Sequence, residues 1–260
     1  MTMLEQTRTR RSTGSVTLRA MRMLDAFEPA RMSLSLSELA RFADVPLSTA
    51  HRLLSDLCTW GALERDVEGR FHVGVRIRQL AALAPRGRLL REVCLPVMED
   101  LVAVTACSCV LAVLEDTDVI NVEVVRGTRS EQKITGQRSH ALTTAAGRVL
   151  VAFAPAGRQR EVLERPVPAL TSHTVTDSVK LRAILAEVRQ ARGAVSRQQA
   201  DDDFTGVAAP VIDATGEVVG ALSTVVPVDA SDLGALMALT TAAARSVSRV
   251  LQPLMPRRPS

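Results

Sequence analysis

The sequence predicts an α+β chain in two parts: an N-terminal winged helix-turn-helix domain, a linker helix, and a C-terminal α+β domain with an antiparallel sheet flanked by helices. Three observations carry that prediction. Residues 36–74, LSELARFADVPLSTAHRLLSDLCTWGALERDVEGRFHVG, read as two short helices, a tight turn between them and a hairpin after them. Residues 107–126 and 194–226 alternate apolar and polar side chains between turn residues, as strands do. Helical spacing of apolar residues occupies 143–154, 157–164, 177–192 and 229–251.

The first 14 residues are a basic, Ser/Thr-rich arm with Arg8, Arg10 and Arg11, expected to be disordered. The winged domain is assigned to residues 15–75. Its first helix, 16–28, has Val16, Ala20, Met23, Leu24 and Phe27 on its apolar face and Pro29 at its end. The second, 36–43, is weakly amphipathic through Leu36, Leu39, Ala40 and Ala43. Ser35 or Ser37 can cap it, and Glu38 completes a capping box with Ser35. Asp44-Val45-Pro46 is as short a connection as a helix-turn-helix requires.

The next helix carries the chemistry. Pro46 stands just inside its start, Asp44 and Ser48 are its candidate caps, and Gly61 stops it. Ala50, Leu53, Leu54 and Leu57 form one buried stripe. Ser48, His51, Arg52 and Ser55 fall on the opposite side, with Thr49 and Asp56 on a flank. Short hydroxyls, an imidazole and a guanidinium are the groups that read a DNA major groove, with Arg suited to guanine O6 and N7. Residues 62–65 and 70–73 then form two strands around Val67-Glu68-Gly69, and Arg65 and Arg70 flank the tip where phosphates would lie. The candidate DNA-binding set is Ser37, Ser48, Thr49, His51, Arg52, Ser55, Arg65 and Arg70. A solvated helical hairpin would show the same polar face; the wing at the correct distance favours DNA.

At 260 residues the chain is long enough for two cores. Hydrophobic content of 47% with 23% charged residues is that of a globular protein. Aromatics are only 2%, with no Tyr, so base-stacking platforms for single strands are not expected. A net charge of +4 suits a polyanionic partner without proving one. Cys58, Cys94, Cys107 and Cys109 form no CxxC pair and no zinc spacing, so reduced thiols in a cytoplasmic protein are expected. Cys107 and Cys109 are read as facing opposite ways along a strand. No signal peptide and no membrane span is read.

Residues 76–87 form the linker: a short helix broken by Pro85 and Gly87, with the domain boundary near Pro85. The second domain is assigned to 88–252. It opens on a helix from 88 or 89 to 104 that contains Pro96, followed by strands 107–115 and 118–126 around Asp116-Thr117-Asp118. Residues 133–142, with Gly136 and His140, are less regular. Helix 143–154 ends at Pro155, and helix 177–192 is capped by Asp177 or Ser178 and stopped by Gly193. Strands 194–199, 205–213 and 218–226 follow, the last two joined at Ala214-Thr215-Gly216. Asp229 or Ser231 starts the final helix, whose face is Leu233, Leu236, Leu239, Ala243 and Val247. Residues 253–260 are a tail.

The run LSELARFADVPLSTAHRLLSDLCTWGALERDVEGRFHVG resembles the DNA-binding domain of the IclR family of transcriptional regulators. So do Ser15-Val16 through Leu24-Asp25, Thr144-Ala145-Ala146-Gly147-Arg148, Val207-Ala208-Ala209-Pro210-Val211 and Gly220-Ala221-Leu222-Ser223, in order, over about residues 15–252. Leu47 departs from the family, which often has a basic residue there. The resemblance implies a GAF-like effector-binding fold, pairing of DNA-binding domains through the first helix (Leu18 or Met21), and a homodimer or homotetramer on a double-stranded DNA operator. It also implies a small-molecule effector pocket lined by the 143–154 helix start and the C-terminal strands.

The candidate effector residues are Thr144, Ala145, Ala146, Gly147, Ser196, Gly206, Ser223 and Val225. Free amides at a helix start attract an anion, and small residues let it approach. Gly206 stands where the family commonly has a cysteine, Ser196 where an acidic residue is common, and Val225 where a small hydroxyl residue is common. The pocket therefore gains room and apolar wall, and an aromatic or medium-chain carboxylate is expected. The alternative is a metabolite-binding protein or enzyme with an incidental helix-turn-helix. His140 and His173 are isolated, Ser223 has no nucleophile elbow, and Asp201-Asp202-Asp203 reads as a solvated acidic loop rather than a metal site. Catalytic residues, metals and cofactors are not expected.

Overall fold

The computed structural model describes residues 15–27, 31–82, 85–129, 138–229 and 232–254. The chain divides into two compact units, Met1–Pro85 and Arg86–Ser260. The basic arm, Pro29, Gly136, Ser231 and most of the C-terminal tail lie outside the described residues.

The first unit runs α1 (Val16–Leu24), α2 (Leu36–Phe42), α3 (Leu47–Trp60), β1 (Leu63–Arg65), β2 (Phe71–Val73) and α4 (Val75–Ala82). α1 is shorter than its periodicity suggests. Phe27 N–H bonds Leu24 O at 3.2 Å, a tight turn that closes the helix before residue 28. Met23 and Ala26 are buried, whereas Val16, expected on the apolar face, is 45% exposed in the opening turn. α2 carries the expected capping box. Ser35 Oγ accepts from Glu38 N–H, and Glu38 Oε2 accepts from Ser35 N–H at 2.8 Å. The Ser35 hydroxyl also donates to Glu38 Oε2 at 2.7 Å; that bond first, then the Ser35 amide, with Arg70 nearby, holds the Glu38 carboxyl below its usual range.

α3 has no side-chain cap: neither Asp44 nor Ser48 serves, and Pro46 is the N-cap. Asp44 instead supplies the turn, at φ +51°. At the other end Gly61, φ +83°, donates to Cys58 O, and Ala62 N–H bonds Leu57 O, the paired bonds of a Schellman close. The buried stripe is Ala50, Leu53, Leu54 and Leu57, as the spacing predicts. With Met23, Leu39, Leu63 and Phe71 it makes one core. β1 and β2 pair antiparallel, and Leu34 bridges Phe71, so the wing is anchored to the start of α2.

The second unit runs α5 (Pro85–Thr105), β3 (Ser108–Glu115), β4 (Asp118–Val125), β5 (Arg138–His140), a single 3-10 turn (Ala141–Thr143), α6 (Ala145–Phe153), α7 (Ala156–Glu164), α8 (Ser178–Ala191), β6 (Ala194–Arg197), β7 (Phe204–Ile212), β8 (Val218–Pro227) and α9 (Leu233–Leu254). Pro85 opens α5 rather than breaking it, since a first-turn proline lacks only an N–H that would be unbonded. α8 ends on Arg192 in the left-handed region rather than on Gly193. α9 begins later than expected. Asp232 Oδ1 accepts from Ala235 N–H at 2.8 Å, and Leu239 is 41% exposed because the buried face is Leu236, Thr240, Ala244, Val247 and Leu251.

The six strands order as β5-β4-β3-β8-β7-β6, all neighbours antiparallel. One face packs on α6 and α8 through Ala145, Val149, Leu181, Leu185, Ala208 and Ala221. The other packs on α5 and α9 through Cys94, Met98, Leu111, Val211, Leu222 and Val247. Cys107 and Cys109 both pack on residues of this second side, contrary to expectation, because alternate residues of a strand share a face. All four cysteines are free thiols, and burial pushes Cys94 and Cys109 up to about 12, which leaves both inert. No helix among the described residues is long and apolar enough to cross a membrane.

Candidate functional sites

The first site is the solvent face of α3. Ser48, His51, Arg52 and Ser55 are exposed along it and Thr49 is half-buried at its edge. Among the described residues nothing engages the His51 ring or the Arg52 guanidinium, so both keep their full donor capacity. Thr59 extends the same face and was missed in the sequence; its hydroxyl donates to Ser55 O at 2.9 Å. Ser37, exposed on α2, lies with its Oγ 3.1 Å from that of Ser35.

The two wing arginines differ. Arg65 is exposed, donates from Nε to Gly69 O and lies over the Phe71 ring. Arg70 turns inward. Its Nε donates to Ser33 Oγ and its Nη2 to Ser33 O, both at 2.7 Å, and Glu38 Oε2 is 3.6 Å away. Against the expectation that Arg70 meets phosphate, its fork is spent on joining the wing to the α2 capping box. Asp66 shapes the wing tip, accepting from Glu68 and Arg70 amides and from His72, which holds its carboxyl below the usual range. Arg70→Met should therefore destabilise the first unit by about 1 kcal/mol, the order of a partly solvated charged hydrogen bond. Thermal melting followed by circular dichroism checks this; an unchanged melt with a weakened grip on all DNA sequences would return Arg70 to the phosphates.

The second site is a cavity of about 450 Å³ in the second unit, between the α6 side of the sheet and the α6 N-terminus. Register explains its floor. Ser196 on β6 pairs Gly206 on β7, and Gly206 pairs Val225 on β8, so three residues far apart in sequence lie in one row. Ser223, Thr144, Ala145 and Ala146 also line it. Gly147 does not. A Cβ there would lie 1.9 Å from Ala141 O, so this glycine serves close packing of α6 on the 3-10 turn. Arg138 and His140 line the cavity through the β4-β5 pairing, which the sequence did not reveal, and Asn121 joins them from β4. Val110, Val119, Pro168, Leu170 and Phe204 add apolar wall.

The polar groups are sorted by role. Ser196 Oγ donates to Thr143 O at 2.8 Å and Ser223 Oγ to Val207 O at 3.0 Å, leaving these hydroxyls only acceptor capacity. Thr144 Oγ accepts from Gly147 N–H, which leaves the Ala145 and Ala146 amides as the donors of the helix start. His140 Nδ1 accepts from Leu142 N–H, so the neutral ring carries its proton on Nε2, a buried atom with no partner among the described residues. Burial first, then Arg165, pushes its pKa down, so the ring stays neutral. With both serines donating to carbonyls and the imidazole acceptor occupied, no nucleophile is poised against a base among the described residues of the cavity. Among the described residues no cluster of three or more His, Cys, Asp or Glu could hold a metal.

Known proteins match both units. Residues 16–67 match the IclR helix-turn-helix domain, and residues 86–249 match the bacterial transcriptional regulator IclR C-terminal domain. The probable transcriptional regulator SauR of Cupriavidus necator is 30% identical over 86% of this chain and 90% of its own length. The glycerol operon regulatory protein of Streptomyces griseus is 31% identical over 81% of this chain and 84% of its own. Among solved structures, an IclR homologue from Microbacterium hydrocarbonoxydans complexed with 4-hydroxybenzoate is 30% identical, with a TM-score of 0.83. That match covers 91% of this chain and 99% of the homologue. The matched families and relatives are regulators, not enzymes.

Proposed function

The chain belongs to the IclR family of transcriptional regulators, and from that premise we propose that it is an operator-binding protein switched by an aromatic carboxylate held in the C-terminal cavity. The observation that carries the reading is the make-up of that cavity. Helix-start amides supply donors, two spent hydroxyls supply acceptors, and aliphatic and Phe204 side chains supply the wall. At about 450 Å³ it is roughly three times the ~150 Å³ that holds one benzene, enough for a substituted ring with its polar ends and water. The 4-hydroxybenzoate bound by the Microbacterium homologue is a ligand of this class.

The α3 face reads the major groove, and Arg65 with the wing meets the backbone. One such face covers too little DNA for tight specific binding, so two or four chains read a pseudo-palindromic site with half-sites about one turn (~34 Å) or a multiple apart. Leu18 and Met21, exposed on α1 at 46% and 48%, are suited to pairing the reading heads.

A gel shift on DNA flanking the gene that encodes the chain tests this. Benzoate, 4-hydroxybenzoate, octanoate, pyruvate and glyoxylate are added in turn. The expected result is a shift altered by the aromatic acids, unaltered by the two- and three-carbon oxo acids, and lost on a probe with one half-site. Turnover of any of these acids, with no specific shift, would favour the enzyme reading instead.

A further inference from the structure

Arg148 is 2% exposed and lies on α6, one turn past its start. Its guanidinium donates to three neutral acceptors: Leu142 O from Nε at 3.0 Å, Val195 O from Nη1 at 3.5 Å, and Gln199 Oε1 from Nη2. Among the described residues no carboxylate pairs with it. Burial alone pulls its pKa down to about 10, still far above neutrality, so the charge is present. Its three hydrogen bonds satisfy the donors, but no counter-ion offsets its charge, so its field extends into the neighbouring space.

The position of its three acceptors points to the user. Leu142 precedes Thr143, Val195 precedes Ser196, and Gln199 precedes Ala200, and all three following residues line the cavity. The guanidinium therefore sits directly behind the cavity wall, on the side of the α6 N-terminus. The other charges at the cavity do not replace it. Arg138, half-exposed at the rim, is already paired with Glu115 and Asp118. Asp201 carries the wrong sign, and His140 is neutral.

We propose that Arg148, which does not reach the ligand itself, makes the cavity select anions: its uncompensated buried charge, with the α6 amides, sets the preference for a carboxylate over a neutral ring of the same shape. This rests on the cavity being the effector site. Arg148 is thus a specificity-determining residue acting through the wall. Gln199, which also accepts from Val175 N–H, ties the same guanidinium to the loop carrying Pro168 and Leu170.

The test compares benzoate with benzamide, its neutral isostere, by calorimetry on the full chain. The wild type is expected to prefer benzoate. Arg148→Met and Arg148→Gln should cut that preference about tenfold, because they remove a unit charge that attracts the carboxylate and not the neutral ring. Arg148→Lys should keep it, even if both affinities fall through lost packing. Rim variant Arg138→Gln should leave it within twofold. Equal weakening of both ligands in the neutral variants means Arg148 is only structural and overturns the inference. If neither neutral variant folds, salt decides in the wild type. A preference that persists at 1 M NaCl supports a buried source, whereas one that collapses belongs to exposed charge and overturns it. A wild type that binds neither molecule removes the effector-site reading and this inference together.

Discussion

Arg52→Ala is expected to weaken operator binding by about 1–3 kcal/mol, roughly 5- to 150-fold, and to relax base preference at one position of each half-site. The effect is large because of how α3 is held. Ala50, Leu53, Leu54 and Leu57 fix its rotation against the core, and the Gly61 close fixes its end. Arg52 then projects, exposed, from the opposite face, with no bond among the described residues to give up. A guanidinium so placed matches the O6 and N7 acceptors of guanine bidentately. Asp56, one turn on, leaves room for only a short reading stretch before like charge meets phosphate. Fluorescence anisotropy on an operator and its single-base variants is the measurement. Unchanged affinity and unchanged preference would show that the reading face lies elsewhere on the helix.

The solvent face of α3 was legible because a helical stripe and its complement are both local. One buried residue every three or four positions fixes which side chains are left over, and Ser48, His51, Arg52 and Ser55 follow from that alone. Arg70 was not legible. Its partners, Ser33 and Glu38, lie more than thirty residues earlier, and nothing in the wing's own sequence distinguishes an inward fork from an outward one. The cavity divides the same way. Ser196, Gly206, Ser223 and Val225 sit on strands whose alternation is visible, so their common face could be anticipated. His140 and Arg138 enter through β5, a three-residue edge strand too short to show any period, and Asn121 through its neighbour β4. Gly147 looked like a ligand-facing glycine because small residues at a helix start have two uses. Close backbone approach to Ala141 is the one the fold makes of it.

Gly206→Leu is expected to abolish the effector response while leaving DNA affinity intact. A Cβ at position 206 would lie 3.4 Å from Ala145 Cβ, 3.9 Å from Ser223 Oγ and 4.0 Å from Ala145 N, which is ordinary contact. Its backbone is not in the left-handed region, so a side chain is tolerated without strain. The first carbon of leucine therefore fits, and its branched end must occupy the cavity in front of the α6 amides. Both halves of recognition suffer: the carboxylate loses its donors and the ring its wall. Excluding about 100 Å² of apolar contact alone would cost roughly 2.5 kcal/mol, on the order of 70-fold in affinity. Gly206→Ala is the graded control, since one methyl blocks less of the amide row and should weaken binding only in part. DNA affinity should hold because α3 and the wing belong to the other compact unit, with their own core. Calorimetry with benzoate and 4-hydroxybenzoate, beside anisotropy on the operator, separates the two effects. Tight binding of glyoxylate or pyruvate that survives Gly206→Leu would place the effector elsewhere in the chain.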